Sequence, residues 1–151
     1  MIRLLITFML ITGLLTGCDK LNSITNGSPP KKVFSGWTEV TVTGSPKTGL
    51  IHILYDPSSI KREGDIAQVW ELDNFEQPQT NALGNYLSAK VLKEYNCKTN
   101  ELRLVSFSSF SENDGKGNIV NSSSDVPNWD RKMIPIEPNS MATLFPPIVC
   151  K

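Results

Sequence analysis

The chain has 151 residues, 15 basic and 15 acidic side chains, one histidine and three cysteines, with zero formal net charge. That balance argues against nucleic acid as a main partner, because phosphate binding needs a clustered excess of positive charge. The length fits one modest domain and leaves room for a short leader.

The first 18 residues carry a distinct pattern. Arg3 precedes an apolar run from Leu4 to Leu15, and Leu15-Thr16-Gly17-Cys18 follows. As a helix the run reaches only about 18 Å, short of the roughly 30 Å hydrocarbon core, so it suits a signal segment and not a span. The four residues resemble the lipobox of bacterial lipoproteins. That resemblance implies diacylglyceryl attachment at Cys18, cleavage after Gly17 and a membrane-anchored product of the cell envelope. Asp19 beside Cys18 resembles an inner-membrane retention signal of enteric bacteria, so the choice of membrane stays open. The mature chain, Cys18 to Lys151, would hold 134 residues with 14 basic and 15 acidic side chains.

Residues 18–35 are polar and include Pro29-Pro30-Lys31-Lys32. They read as the lipidated end and a tether, with a folded domain over 36–151. Strand signals then succeed one another. Trp37 to Thr43 alternates, with Val40 and Val42 on one face. Leu50 to Tyr55 is apolar apart from His52. Asp56-Pro57-Ser58-Ser59 reads as a turn fixed by proline, and Lys61 to Asp65 as a hairpin tip where Gly64 permits positive φ. Ile66 to Leu72 is a further strand. In Tyr86 to Cys97, Leu87, Ala89, Val91, Tyr95 and Cys97 share a face interrupted by Lys93. We read it as a strand, a helix through Leu87, Val91 and Tyr95 being the alternative.

Lys98-Thr99-Asn100 turns the chain into a strand over Leu102–Phe110, whose apolar residues change parity between Leu104 and Val105. A bulge or two covered faces would each explain that change. Asn113 to Asn118 reads as a glycine-rich hairpin tip, followed by Ile119-Val120, a polar loop over Asn121–Asp125, and Met133 to Ile136. Asn139 or Ser140 can cap a helix through Met141, Leu144 and Phe145 that Pro146-Pro147 would stop. The expected fold is α+β and mostly β: an antiparallel sheet of about six strands with one short C-terminal helix.

With Cys18 assigned to lipid, Cys97 and Cys150 remain as a pair. Outside the cytoplasm they are expected to form one disulfide. They do not make a metal set with His52, and no cofactor motif occurs. A triad through His52, Asp56 and Ser58 or Ser59 would need His52 free to act as base. A satisfied strand histidine is the simpler reading, so no enzyme signature survives. Asp114-Gly115-Lys116-Gly117 lacks the spacing of a phosphate loop. Asp56 with Glu63 or Asp65 shows no sign of shared burial. Trp37, Trp70, Trp129, Phe107 and Phe110 are candidate core residues; exposed on a sheet face they would mark a binding patch.

Taken in order, Tyr55-Asp56-Pro57-Ser58-Ser59-Ile60, Val69-Trp70-Glu71-Leu72, Ser88-Ala89-Lys90, Glu94-Tyr95-Asn96-Cys97, Trp129, Pro138-Asn139-Ser140 and Cys150 resemble the surface-adhesin protein E family of Gram-negative lipoproteins. The resemblance implies an antiparallel sheet with a helix packed on one face, and a lipid-anchored envelope module. It also implies a protein partner, such as a host matrix or serum protein. Another envelope component is the alternative partner. Two departures stand out: Asn139 where the family has glycine, and Pro146-Pro147 within its terminal helix.

Overall fold

The computed structural model describes residues 34–125 and 130–151. One antiparallel sheet dominates them. Its strands are β1 (Thr38–Ser45), β2 (Gly49–Tyr55), β3 (Lys61–Glu63), β4 (Ile66–Asn81), β5 (Gly84–Asn96), β6 (Glu101–Phe110), β7 (Ile119–Ser122) and β8 (Ile134–Pro135). The path runs β1-β2-β4-β5-β6-β7. The expected six lanes are present, but two are broken. β3 pairs with β4 at Ile66–Gln68, beyond the stretch that β2 occupies. β8 pairs with β6 at Glu101–Leu102, beyond the stretch that β7 occupies.

Charged Lys61–Glu63 is therefore strand, and the hairpin tip shrinks to Gly64-Asp65, with Gly64 at φ 58°. Between β2 and β3, Asp56 opens a 3₁₀ turn by accepting from the Ser58 amide at 2.8 Å. Asparagine supplies the next turn. Asn96 Oδ1 accepts from the amides of Lys98 and Thr99, and Asn100 takes φ 56°.

Bulges decide which residues share a face. The register shifts between Glu39 and Thr41, so Val40 reaches the core while Val42, opposite His52, is 40% exposed on the other face. This corrects the simple alternation expected there, because an extra residue reverses side-chain parity. In β6 the register passes from Leu92↔Ser106 to Lys93↔Leu104 and leaves Val105 unpaired. The change of parity is thus a bulge. Between β4 and β5 the pairing jumps from Asn74↔Ser88 to Gln79↔Tyr86, leaving Phe75 to Pro78 opposite Leu87 alone. Pro78 sits where the ladder makes no demand for an N–H.

One face carries Ile53, Ala67, Val69, Tyr95 and Leu102, covered by Ile136, Phe145 and Val149 of the C-terminal segment. Tyr95 and Phe145 stack at 5.9 Å between centroids, a contact worth about 1 kcal/mol beyond the buried area. The other face buries Leu54 and Leu72 beneath Phe34, with Trp37 packed against them. The folded part thus already includes Phe34, ahead of residue 36. Of the aromatics expected in the core, Trp37, Trp70, Phe107 and Phe110 are only half-buried, and Trp129 lies outside the described residues. The buried aromatics are Phe34, Tyr95 and Phe145.

At the C-terminus, Met141–Leu144 is a 3₁₀ turn and α1 spans Pro146–Val149. The prolines do not stop the helix as expected. They begin its α-helical turn, where no amide partner is required. Ser140 stands at the start of the 3₁₀ turn, but its hydroxyl makes no cap bond and is buried without a partner among the described residues. Asn139 takes φ 64°, a conformation that asparagine adopts more readily than most residues. Cys97, at the end of β5, is bonded to Cys150 with the Cα atoms 5.6 Å apart.

Candidate functional site

Three places on the domain concentrate chemistry. The first is a cleft on the Leu54–Leu72 face, lined by Trp37, Asp56, Trp70 and Lys90, with a volume of about 320 Å³. Trp37 arrives through a turn closed by its amide on Phe34 O at 3.1 Å. Trp70 comes from β4, where its amide is bonded to Ser59 Oγ at 2.9 Å. Lys90, on β5, holds its ammonium 5.8 Å from the Trp37 ring centre and 5.4 Å from that of Phe110, both within cation–π range.

The loop after β6 presses on the same face and fixes Lys90. Gly115 lies so close to the lysine side chain that a Cβ there would overlap it, and its φ of 65° also disfavours a side chain. Asn113 Nδ2 donates to Phe75 O and Leu87 O, bridging the gap left by the β4 bulge. Asn74 donates to Asp114 Oδ1 at 2.7 Å and accepts from the Asp114 amide at 2.8 Å. Ser88 Oγ accepts from the Gly115 amide and donates to Glu112 O. The amides of Asp114 and Gly115 are thereby bound within the fold and do not face an anion. The glycine-rich tip is a docked loop.

The second place lies on the opposite face. Glu71, only 2% exposed, accepts from Lys93 Nζ at 2.7 Å and from the Tyr95 hydroxyl at 2.6 Å. Lys93 therefore interrupts an apolar alternation in order to neutralise a carboxylate on the next strand. Burial raises the Glu71 carboxyl above its ordinary range, with Lys93 and the two hydrogen bonds opposing the rise. Burial chiefly, then the charge and hydrogen bond of Glu71, pushes the Tyr95 hydroxyl up. Asp73, two residues along the strand, is raised to about 6 by burial; Lys93 opposes the rise and Glu71 adds to it.

Because the folded pKa of Asp73 exceeds its ordinary 3.8, the native state holds that proton more tightly than the unfolded chain. Its ionisation costs stability in full above about pH 6, and the cost disappears as pH falls towards 3.8. Asp73→Asn is thus expected to raise stability by up to about 3 kcal/mol in neutral buffer and by nothing in strong acid. Thermal melts of both proteins across pH check this; an equal gain at every pH would show that Asp73 titrates normally.

The third place is one end of the sheet. Val120 lies against Gly84, at 3.3 Å from the position of a Cβ there. The neighbouring Leu83 and Ile119 are 60% and 62% exposed.

The residues singled out in the sequence distribute unevenly over these places. Cys18 lies outside the described residues. Cys97 and Cys150 form the disulfide at the end of β5, with Cys150 packed against the core that contains Tyr95. His52 pairs with Glu39 at 2.8 Å and tilts against Phe34. Ser58 bonds to Asp56, and Ser59 to the Asp56 carbonyl and the Trp70 amide. His52 and the serines thus belong to separate hydrogen-bond networks. Among the described residues no group of three or more potential metal ligands occurs, and no helix is long and apolar enough to cross a membrane. The carboxylates drawn into the sheet are Glu71, which is buried, and Asp73, which is half-buried, not Asp56, Glu63 or Asp65. Their two-residue spacing, in step with Val69, was the available signal: it places both on the strand face that Val69 buries.

The described domain is thus an antiparallel sheet, covered on one face by a disulfide-tied C-terminal segment and clefted on the other. Residues 37–151 match the surface-adhesin protein E family, and the chain belongs to it. Three solved structures of protein E from Haemophilus influenzae, one from a non-typeable strain, share the fold at 18% identity and TM-score 0.56. Each covers 82% of this chain, and the chain covers 80%, 93% and 89% of them. No curated protein sequence matches significantly.

Proposed function

We propose that this chain is a lipid-anchored envelope module that reversibly binds a protein partner and performs no catalysis. Membership of the surface-adhesin protein E family carries this reading. Residues 1–17 would serve as the signal peptide, Cys18 would carry the lipid, and residues 18–33 would project the domain from the membrane. Attachment that lasts needs two or more acyl chains, each contributing about 0.8 kcal/mol per buried methylene. A host matrix or serum protein is the favoured partner, with another envelope component second. The Leu83–Ile119 end offers apolar side chains that water solvates poorly, and one end of such a domain could present about 600–800 Å².

Cys18→Ser is expected to leave an unprocessed precursor that takes up no labelled acyl chains. Leu83→Asp with Ile119→Asp should leave attachment intact and weaken binding of intact cells to matrix proteins about tenfold or more. Normal processing together with unchanged membrane retention of Cys18→Ser would sink the anchor. Partners recovered only from envelope extracts would replace the adhesin role with a structural one.

A further inference from the structure

We propose that the Trp37–Trp70 cleft is a saccharide-binding site, separate from the protein-binding surface. The observation is a set of ligand-ready groups around one opening. The Lys90 ammonium is steadied by two aromatic rings but makes no hydrogen bond or ion pair among the described residues. Asp56 spends Oδ1 on the amide and hydroxyl of Ser58, while Oδ2 has no hydrogen bond there. Neither indole N–H has a partner among the described residues, and neither is sealed from solvent.

The charges select the ligand class. Asp56 repels an anion and Lys90 repels a cation, so neither ion gains from the pair as a whole. A neutral molecule rich in hydroxyls gains from both: it donates to Asp56 Oδ2 and accepts from Lys90 and the indole N–H groups. Indole faces supply flat apolar surface for the C–H face of a pyranose ring, and keep a polar edge for its hydroxyls. The volume of about 320 Å³ sits at the lower end of small-ligand clefts, a size for one or two sugar rings. The cleft is also pre-organised. Phe34 buries the turn that carries Trp37, and the docked loop at Gly115 fixes Lys90, so little ordering remains for binding to supply.

Such a sugar could come from the bacterium's own wall or from a host glycan, and the probes separate the two. The full chain in detergent micelles is titrated with chitotriose, an analogue of wall glycan strands, and with N-acetyllactosamine, a host-type end group. Tryptophan fluorescence reads binding; tetramethylammonium and inorganic phosphate serve as ionic controls. A saturable change is expected with one saccharide and with neither ion, and the responding saccharide identifies the source.

Trp70→Ala, Lys90→Gln and Asp56→Asn should each weaken that binding about tenfold, while Leu83→Asp with Ile119→Asp leaves it unchanged. Asparagine still caps the 3₁₀ turn, so Asp56→Asn removes the charge without removing the fold. If Trp70→Ala fails to fold, Lys90→Gln and Asp56→Asn decide. No response to either saccharide, a response to the ions instead, or full binding by the variants would each overturn the proposal.

Discussion

Replacing Cys97 and Cys150 together by serine is expected to lower the midpoint of thermal unfolding by about 10–15 °C. The bridge closes a loop with a sequence separation of 53, for which chain entropy alone gives roughly 4 kcal/mol as an upper figure. It also ties down the segment that covers one face of the sheet. Phe145 and Val149 are 1% and 0% exposed, and Arg62 Nε donates to Val149 O at 2.7 Å. Hydrogen exchange should therefore rise first over residues 141–150, before β4 and β5 open. A midpoint within a degree or two of the wild type would mean that packing alone holds the C-terminus.

Lys93→Met is the second large effect expected, a destabilisation of about 3 kcal/mol in neutral buffer. Glu71 is buried at the centre of the sheet, and Lys93 is its one cationic partner among the described residues. Removing that partner leaves a charge that only Tyr95 solvates. The raised folded pKa of Glu71 rises further, so the deficit is fully present above it and shrinks as pH falls through it. Adding Glu71→Met should recover most of the loss, since an apolar pair of similar volume needs no solvation. Denaturant melts of the single and double variants at two pH values test this. A deficit independent of pH and of Glu71 would assign Lys93 to packing over Phe145 instead.

The hairpins were legible because β5 alternates and its turns carry asparagine or glycine. The cysteine pairing was legible because only two candidates remained. What the sequence hid depended on bulges and long-range docking. Val40 and Val42 look like partners in any alternating reading, and one inserted residue sends them to opposite faces. The cleft unites Trp37, Asp56, Trp70 and Lys90 through the pairing of β1, β2, β4 and β5, which no local pattern encodes. Asn113 reads as an ordinary turn residue until the gap it fills between Phe75 and Leu87 is known. The terminal prolines were misread because their cost inside a helix differs from their ease at its first turn.

The two coverings of the sheet differ in how they would answer a pull. The amino-terminal segment grips its face through Phe34 and continues into β1, which among the described residues has one neighbouring strand, β2. Tension arriving from that side meets a ladder that yields a few bonds at a time, starting beside Trp37. The stretch from Cys97 to Cys150, by contrast, is closed by a covalent bond and cannot lengthen. Under load the domain would shed its cleft first and keep β6 and the C-terminal cover coupled to the end of β5, so a ligand held at Trp37 would be released before the rest of the domain extends.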